Sequence, residues 1–310
     1  MRSGAIVPMS RSDFGSPNGR GEGMRKHISG TFAPIPTPVT AADGRFDPRA
    51  LDSHLGWLDG KGLNGALILG TNGEFPSFTL AERRQIAEVA ASARHRLTLM
   101  LGIGSCALAE VLEMCSLAAE LGYDAVLCPP PFYFRAAPVQ GIADFFTALL
   151  DRSPLPVLLY HIPQVTGVAI SDELLDRIGP HERLCGVKDS SGSLDELRRL
   201  TRIFENRVYM VGSDHLVEEC LAAGGAGSIS AAASIAPELV AAVEQTPDRQ
   251  TLLSRVRSLL ESYGLGPSVK AILRRRGFGD YATRPPLLGL DEHSGESLLT
   301  GLTQLVGPLD

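Results

Sequence analysis

One lysine of this sequence stands where an uncharged amine could act as a nucleophile. Lysine is rare in the chain, and its examples are Lys26, Lys61, Lys188 and Lys270. Lys188 alone lies in an apolar run, residues 184–190, that is typical of a buried strand. A buried lysine must be paired or lose its charge, because burial disfavours the ammonium form. A neutral amine condenses with carbonyl compounds to form a Schiff base.

The structural alternative for Lys188 is an ion pair with Asp189, or a side chain that extends to solvent. Adjacent residues of a strand point to opposite faces, so Asp189 is a poor partner. The residue types alone leave both a Schiff-base role and a structural role open.

Two further features could assist an amine at Lys188. Tyr160 lies in the preceding apolar run, where its phenol could move a proton to and from an iminium; the alternative is a core tyrosine. Thr71 and Asn72 follow another run and are flanked by Gly70 and Gly73. Glycines at such a turn let backbone N–H groups approach a carboxylate closely, although such turns are common.

These side chains belong to eight apolar runs that recur along the chain. The runs are nearly continuous in apolar residues rather than alternating, which is typical of strands buried on both faces of a parallel sheet. They comprise residues 31–39, 65–70, 97–104, 125–131, 156–163, 184–190, 208–214 and 227–234.

The segments between the runs carry signals for helix starts. Thr79 with Glu82, and Ser193 with Glu196, have the spacing of a capping box, and Ser171 is a candidate N-cap. Eight strands that alternate with helices predict an α/β protein with a (β/α)8 TIM barrel. The alternative is a doubly wound open sheet, which usually has fewer strands.

The same patterns predict three segments. Residues 1–30 are rich in Gly, Ser and Arg without an apolar period, and we expect a flexible N-terminal extension. Residues 31–245 form the predicted catalytic barrel, and residues 246–310 a C-terminal helical extension. Its three predicted helices lie near residues 248–263, 267–276 and 294–306.

Composition excludes several classes of protein. The net charge of −6 lacks the basic excess of a nucleic-acid-binding surface, and no run approaches the ~18 apolar residues of a membrane span. Five cysteines without a CxxC pair suit reduced thiols and predict a cytoplasmic protein. The histidines have no metal-ligand spacing, and no phosphate-binding motif is present. We therefore expect no cofactor and no metal, and neither a nucleic-acid nor a membrane partner.

Four motifs lie at the predicted strand ends. They are Gly70-Thr71-Asn72-Gly73-Glu74, Pro131-Phe132-Tyr133, the string YHIPQVTG at 160–167 and the string GVKDSSG at 186–192. In order and spacing they resemble the motifs of the pyruvate-dependent Schiff-base lyases and synthases of the dihydrodipicolinate synthase / N-acetylneuraminate lyase family, including DapA-like proteins. The resemblance runs from about residue 31 to 290.

The resemblance implies a role for each matching residue. Lys188 would form the imine with a 2-oxo acid such as pyruvate, and Tyr160 would relay protons. Thr71 and Asn72 would form the pair that holds the substrate carboxylate and orients Tyr160. Tyr133 would reach into the site of a neighbouring subunit, so we expect a homodimer or homotetramer. The resemblance adds three substrate-binding positions: Gly73, Val165 and Ile229.

Departures from the family pattern narrow the expected substrate. Val165 stands where the dihydrodipicolinate synthases of that family have an arginine for the carboxylate of the aldehyde, and valine cannot make that contact. Asn72 replaces a commoner threonine, as in aldolases for 4-hydroxy-2-oxoglutarate and 2-keto-3-deoxy sugar acids. His161 stands where asparagine is frequent, and no role is assigned to it.

These departures order the candidate functions. An aldolase for hydroxylated 2-oxo acids comes first, then a dehydratase or hydratase-aldolase that uses the same imine. A 4-hydroxy-tetrahydrodipicolinate synthase of lysine biosynthesis comes third. The hypothesis from another class is a catalytically silent barrel that senses 2-oxo acids and regulates a partner.

Overall fold

A closed barrel forms the body of the molecule. The computed structural model describes residues 28–243, 246 and 248–308, and within that part of the chain eight parallel strands pair in sequence order, with the last strand closing on the first. The predicted TIM barrel is confirmed. The strands are β1 (Gly30–Pro34), β2 (Gly65–Ile68), β3 (Thr98–Gly102), β4 (Ala125–Cys128), β5 (Val157–His161), β6 (Leu184–Asp189), β7 (Val208–Val211) and β8 (Gly227–Ile229).

Helices surround the barrel and extend beyond it. In the described residues they are α1 (Pro48–Gly60), α2 (Leu80–Ser92), α3 (Leu108–Glu120), α4 (Val139–Arg152), α5 (Pro163–Thr166), α6 (Asp172–Ile178), α7 (Leu194–Ile203), α8 (Val217–Ala222), α9 (Pro237–Val243), α10 (Asp248–Ser262), α11 (Leu265–Arg275) and α12 (Glu292–Val306). Helices α10 to α12 are the predicted C-terminal extension. None of the helices in the described ranges is both long and apolar enough to cross a bilayer.

Several strands are shorter than the apolar runs that predicted them. The run 125–131 ends as a strand at Cys128, because the three prolines that follow have no N–H for the ladder. The run 31–39 ends as a strand at Pro34 for the same reason. In the last run, Ala231–Ser234 form a 3-10 helix rather than continuing β8.

The predicted helix starts are correct, with one difference in detail. Thr79 and Glu82 form the complete capping box at α2, and Ser171 caps α6. Ser193 accepts a hydrogen bond from the Glu196 backbone N–H, as predicted. The reciprocal bond of a capping box is replaced, because the Glu196 carboxylate accepts hydrogen bonds from Arg199 instead.

Two apolar clusters separate the inside of the barrel from its outside. The lumen is filled by side chains from the strands, including Phe32, Leu67, Met100 and Met210. The larger cluster lies between the strands and the helices, and Leu253 of α10 and Leu298 of α12 belong to it. The extension therefore packs on the same core as the barrel helices.

The predicted segment boundaries fall at the margins of the described residues. Ile28 is fully buried in the lumen and β1 begins at Gly30, so barrel structure starts just before residue 31. The rest of the predicted N-terminal extension, residues 1–27, lies outside the described residues, as do residues 244, 245 and 247 near the predicted boundary at 245. The division into three segments stays a prediction.

A buried histidine joins the barrel to the extension. His54 of α1 is fully buried; its Nε2 donates to the Ser234 carbonyl at 2.9 Å, and its Nδ1 accepts from the Tyr281 hydroxyl at 3.0 Å. Burial lowers the pKa of His54 to about 4. The imidazole is neutral in the folded protein at pH 7.

We predict that His54 makes the protein less stable in mild acid. Between pH 6.5 and 4 the unfolded chain binds more protons at this site than the folded chain, so stability falls as the pH falls through that window. The full effect is about 3 kcal/mol. His54→Gln keeps a donor and an acceptor without a titrating ring, and its urea-unfolding free energy should fall less from pH 7 to pH 4.5 than that of the wild type. Equal losses in the two proteins would contradict the assignment.

Candidate active site

Lys188 and Tyr160 lie side by side in the lumen. Tyr160 on β5 and Lys188 on β6 are register partners, and both are buried, with 4% and 3% of their surfaces exposed. The Lys188 ammonium lies 4.3 Å from the centroid of the Tyr160 ring. A cation over an aromatic face is attracted by the ring quadrupole, so the amine is held against the tyrosine in a space with little water.

The sequence before Lys188 explains why β6 lies so close to β7. A Cβ on Gly186 would lie 2.1 Å from the Val208 carbonyl oxygen, so only glycine permits the approach of β6 to β7. Lys188 then points to the lumen, and its neighbour Asp189 points outward. Asp189 accepts hydrogen bonds from the Tyr209 hydroxyl at 2.9 Å and the Ser191 N–H at 2.8 Å. Asp189 is therefore not the partner of Lys188.

The turn after β2 brings Thr71 to the Tyr160 hydroxyl. The Thr71 hydroxyl and the Tyr160 hydroxyl are 3.1 Å apart. Thr71 is exposed and Tyr160 is buried, so their contact marks the boundary between the lumen and the open end of the barrel. The turn itself is held by the Thr37 hydroxyl, which donates to the Gly73 carbonyl at 2.7 Å.

This environment makes Tyr160 more acidic than an ordinary tyrosine. Burial alone would raise the pKa of its phenol, but the Lys188 cation and hydrogen bonds with Thr71, Ser190 and Lys188 lower it below the usual value. A tyrosine whose pKa is lowered towards neutrality can give and take protons more readily. Ser190 was not among the predicted residues; it directly follows Asp189 on the predicted strand.

Asn72 follows β2 and Ile229 ends β8, at the same end of the barrel. The Asn72 side chain is half-buried, and its Nδ2 is buried without a hydrogen-bond partner among the described residues. A buried N–H without an acceptor is costly unless a ligand or water satisfies it. Ile229 lies in the lumen cluster together with Tyr160. The chain thus brings six of the predicted residues, including Gly73 of the same turn, to one end of the barrel.

Two predicted residues are exposed in the single chain. Tyr133 is 78% exposed and packs edge-to-face against the exposed Phe134, with 5.2 Å between ring centroids. Val165 of α5 is 53% exposed. The apolar side chains of Tyr133, Phe134 and Val165 are thus left uncovered.

His161 has a structural environment. It is the register partner of Asp189 and points with it to the outer layer, where it is 1% exposed. Its Nδ1 accepts from the Ile170 N–H at 3.2 Å, and its Nε2 lies 3.2 Å from a Glu196 oxygen. Burial lowers the pKa of His161 against the opposing effect of Asp189 and Glu196. It lies behind the strands that carry Lys188 and Tyr160, on the face away from the lumen.

A second buried lysine escaped the sequence interpretation. Lys270 was taken only as a residue of a late helix, yet it is 2% exposed and lies 2.8 Å from a Glu74 oxygen. Glu74 is the last residue of the motif that contains Thr71 and Asn72. That position was the one sequence signal that could have pointed to the Glu74–Lys270 pair. In the described part of the chain, no three His, Cys, Asp or Glu side chains gather closely enough to hold a metal ion.

Comparison with known proteins places this geometry in context. The chain matches the model of the dihydrodipicolinate synthetase family over residues 27–305. It is 37% identical to an uncharacterized DapA-like lyase of Chloroflexus aurantiacus, over 87% of this chain and 94% of that protein. It is 31% identical to a 4-hydroxy-tetrahydrodipicolinate synthase of Acidiphilium cryptum, over 89% of this chain and 98% of the relative.

An aldolase and a solved structure are similar as well. The probable 2-dehydro-3-deoxy-D-pentonate aldolase YjhH of Escherichia coli is 31% identical over 69% of this chain and 72% of that protein. The crystal structure of YagE from E. coli, a protein of the dihydrodipicolinic acid synthase family in complex with pyruvate, has a TM-score of 0.84 and 25% identity. The match covers 90% of this chain and 98% of YagE.

We predict that Lys188 and Thr71 together set the acidity of Tyr160. Replacement of the cation in Lys188→Met should raise the pKa of Tyr160, and Thr71→Val should raise it by a smaller amount, because the Lys188 charge outweighs the Thr71 hydrogen bond. The measurement is a pH titration of protein labelled with ¹³C at the tyrosine ζ carbons, with Tyr160→Phe to identify the signal. A Tyr160 titration that stays the same in Lys188→Met would refute the geometry.

Proposed function

The chain belongs to the dihydrodipicolinate synthetase family of lyases and aldolases, and on that basis we propose that it is a class I aldolase that uses pyruvate. The single observation that carries the proposal is the Lys188 amine, buried in the lumen 4.3 Å from the Tyr160 ring. The amine is shielded from bulk water where it can condense with a carbonyl carbon, and a proton-transferring group lies beside it. In this proposal Lys188 and Tyr160 are catalytic residues.

The proposed reaction runs through an imine. The Lys188 amine adds to the C2 keto carbon of the 2-oxo acid and loses water to give an iminium. Tyr160 removes the proton of the C4 hydroxyl as the C3–C4 bond breaks, and the electrons of that bond move into the iminium. The products are an aldehyde and a pyruvate enamine, which is protonated and hydrolysed to release pyruvate. The iminium itself is the electron sink, so no step needs a cofactor or metal.

The turn after β2 is the proposed carboxylate site. The unpartnered Asn72 Nδ2 supports this assignment, because a 2-oxo acid carboxylate would supply the missing acceptor. Thr71 would contribute its hydroxyl and orient Tyr160 through their 3.1 Å contact. Gly73 allows the close approach of the turn to the Ile35 carbonyl, which a Cβ would meet at 3.1 Å, and Ile229 supplies an apolar wall of the lumen.

The proposed aldehyde is one whose binding needs no carboxylate contact at residue 165. Val165 cannot pair with an anion, which favours cleavage of a 2-keto-3-deoxy sugar acid, whose aldehyde half has no carboxylate. The other proposed substrate, 4-hydroxy-2-oxoglutarate, has a carboxylate on its aldehyde half and would need another group to bind it. The similarity to an enzyme called a probable 2-dehydro-3-deoxy-D-pentonate aldolase supports this class. The similarity to a 4-hydroxy-tetrahydrodipicolinate synthase keeps that reaction as the alternative, with Val165 against it. A hydratase-aldolase that uses the same imine ranks between them.

We also propose a homodimer or homotetramer in the cytoplasm. The exposed Tyr133, Phe134 and Val165 are an apolar surface of the kind that a second copy covers, and Tyr133 would then reach a neighbouring site. The five free cysteines suit a reducing compartment. The proposed partners are pyruvate, an aldehyde and further copies of the chain. A silent sensing barrel is less favoured because Lys188 and Tyr160 are both present and adjacent.

We predict that borohydride will trap pyruvate on Lys188. Reduction of the imine leaves a stable secondary amine, so intact and peptide mass spectrometry should show one pyruvate-derived adduct per chain at Lys188. Lys188→Met should give no adduct and no turnover, because no other group supplies the electron sink. Pyruvate binding by calorimetry without any reducible adduct would favour the sensor instead, and an adduct on Lys61 or Lys270 would refute the assignment.

We predict a substrate preference from Val165. Cleavage of 4-hydroxy-2-oxoglutarate or 2-keto-3-deoxygluconate should exceed condensation of pyruvate with aspartate semialdehyde by about tenfold or more in kcat/KM. Lactate dehydrogenase-coupled release of pyruvate measures the cleavage, and consumption of aspartate semialdehyde measures the synthesis. Faster condensation with aspartate semialdehyde would select the synthase. Val165→Arg is the matched variant, and it should shift the ratio towards aspartate semialdehyde.

A further inference from the structure

A buried ion pair joins the turn that carries Thr71 and Asn72 to the C-terminal extension. Glu74 ends the turn, Lys270 lies in α11, and both side chains are at least nine-tenths buried. The Lys270 ammonium is 2.8 Å from a Glu74 carboxylate oxygen, and it also donates a hydrogen bond to the Ala282 carbonyl at 2.8 Å. Charges buried to this degree persist in proteins only when they are paired.

The turn that carries Thr71 and Asn72 has a strained backbone at both of its ends. Leu69 and Glu74 are not glycines, yet their φ angles are 56° and 54°. The left-handed region is unfavourable for residues with a Cβ and persists only where the surroundings enforce it. Glu74 is thus held in an unfavourable conformation at the residue whose carboxylate contacts Lys270.

The segment after Glu74 has a second tie to the same extension. The Arg284 guanidinium donates to the Ser77 carbonyl at 3.1 Å and to a Glu82 carboxylate oxygen at 2.7 Å. Arg284 lowers the pKa of Glu82 to about 2. Lys270 and Arg284 thus fix both ends of the segment 74–82 that directly follows the turn.

We propose that Glu74 and Lys270 are positioning residues for catalysis: their ion pair holds the turn so that Thr71 reaches the Tyr160 hydroxyl and Asn72 faces the carboxylate site. This inference rests on the proposed function for its catalytic consequence. The ion pair acts on the reaction through Thr71, whose carbonyl accepts a hydrogen bond from the Glu74 N–H at 2.9 Å. An extension that follows the barrel in sequence thereby becomes part of the catalytic architecture.

The chain offers a matched control for this proposal. Asp214 follows β7, and its Oδ2 lies 2.7 Å from Arg257 of α10, in a second buried ion pair between barrel and extension. This pair ends at a different strand and has no contact with the turn after β2 among those described. Breaking either pair would weaken the packing of the extension on the barrel. Only the loss of the Glu74–Lys270 pair should also displace the turn after β2.

The test compares two charge-free double variants. Glu74→Gln/Lys270→Met removes both charges, so that no buried charge is left without a partner; Asp214→Asn/Arg257→Met does the same at the control site. The first should lower kcat/KM for the aldol substrate by about 10²-fold and move the ¹³C titration of Tyr160 in the same direction as Thr71→Val does. The control variant should keep the wild-type kcat/KM and titration.

A second variant keeps the test decisive if the first double variant does not fold. Glu74→Asp retains both charges but shortens the carboxylate arm by one methylene, and it should move kcat/KM and the Tyr160 titration in the same direction by less. The proposal is overturned if folded variants at Glu74 and Lys270 leave the Tyr160 titration unchanged. Equal effects of both double variants would overturn it as well.

Failure of this inference is distinguishable from failure of the proposed function. If the wild type traps pyruvate on Lys188 while the Glu74 and Lys270 variants match it in all measurements, only the positioning role is lost. If the wild type forms no adduct, the aldolase proposal fails. The Tyr160 titration still reports in that case whether the ion pair holds Thr71 in place.

Discussion

Removal of water from around a single amine is the constraint on which the site depends. The closed sheet surrounds Lys188 with apolar side chains and with the face of Tyr160, and the alternation of the strand sends Asp189 to the opposite side. With its carboxylate neighbour turned away, the amine has an aromatic ring and hydroxyl groups as its surroundings. The Schiff-base proposal needs an amine that is not held by Asp189 and can condense with a keto group.

The outer face of the same two strands has the opposite character. Behind Lys188 and Tyr160 lie Asp189 and His161, whose polar atoms contact Tyr209, Glu196 and the backbone of Ile170. These contacts join the two strands to β7, to α7 and to the segment before α6, and they keep the Asp189 carboxylate out of the lumen. One strand pair therefore supplies reactive groups on its inner side and structural polar contacts on its outer side.

Sequence patterns predicted the barrel and most of the residues that meet at its open end, because both depend on local rules. Continuous apolar runs indicated parallel strands, and the period of two separated Lys188 from Asp189. The burial of Lys270 could not be predicted in this way, since it depends on a partner almost 200 residues earlier in the chain. Glu196 likewise has capping-box spacing, but Arg199 and His161 compete for its carboxylate. The predicted role of the exposed Tyr133 depends on neither local rules nor contacts within one chain, because it requires a second copy of the chain.

The most direct test of the account is a crystal structure of the protein after soaking with pyruvate. Continuous electron density from the Lys188 Nζ to C2 of pyruvate is the predicted result, with the carboxylate on the Thr71–Asn72 turn and the Tyr160 hydroxyl beside the new bond. Pyruvate that lies outside the lumen, or within it but detached from Lys188 and away from that turn, would contradict the account.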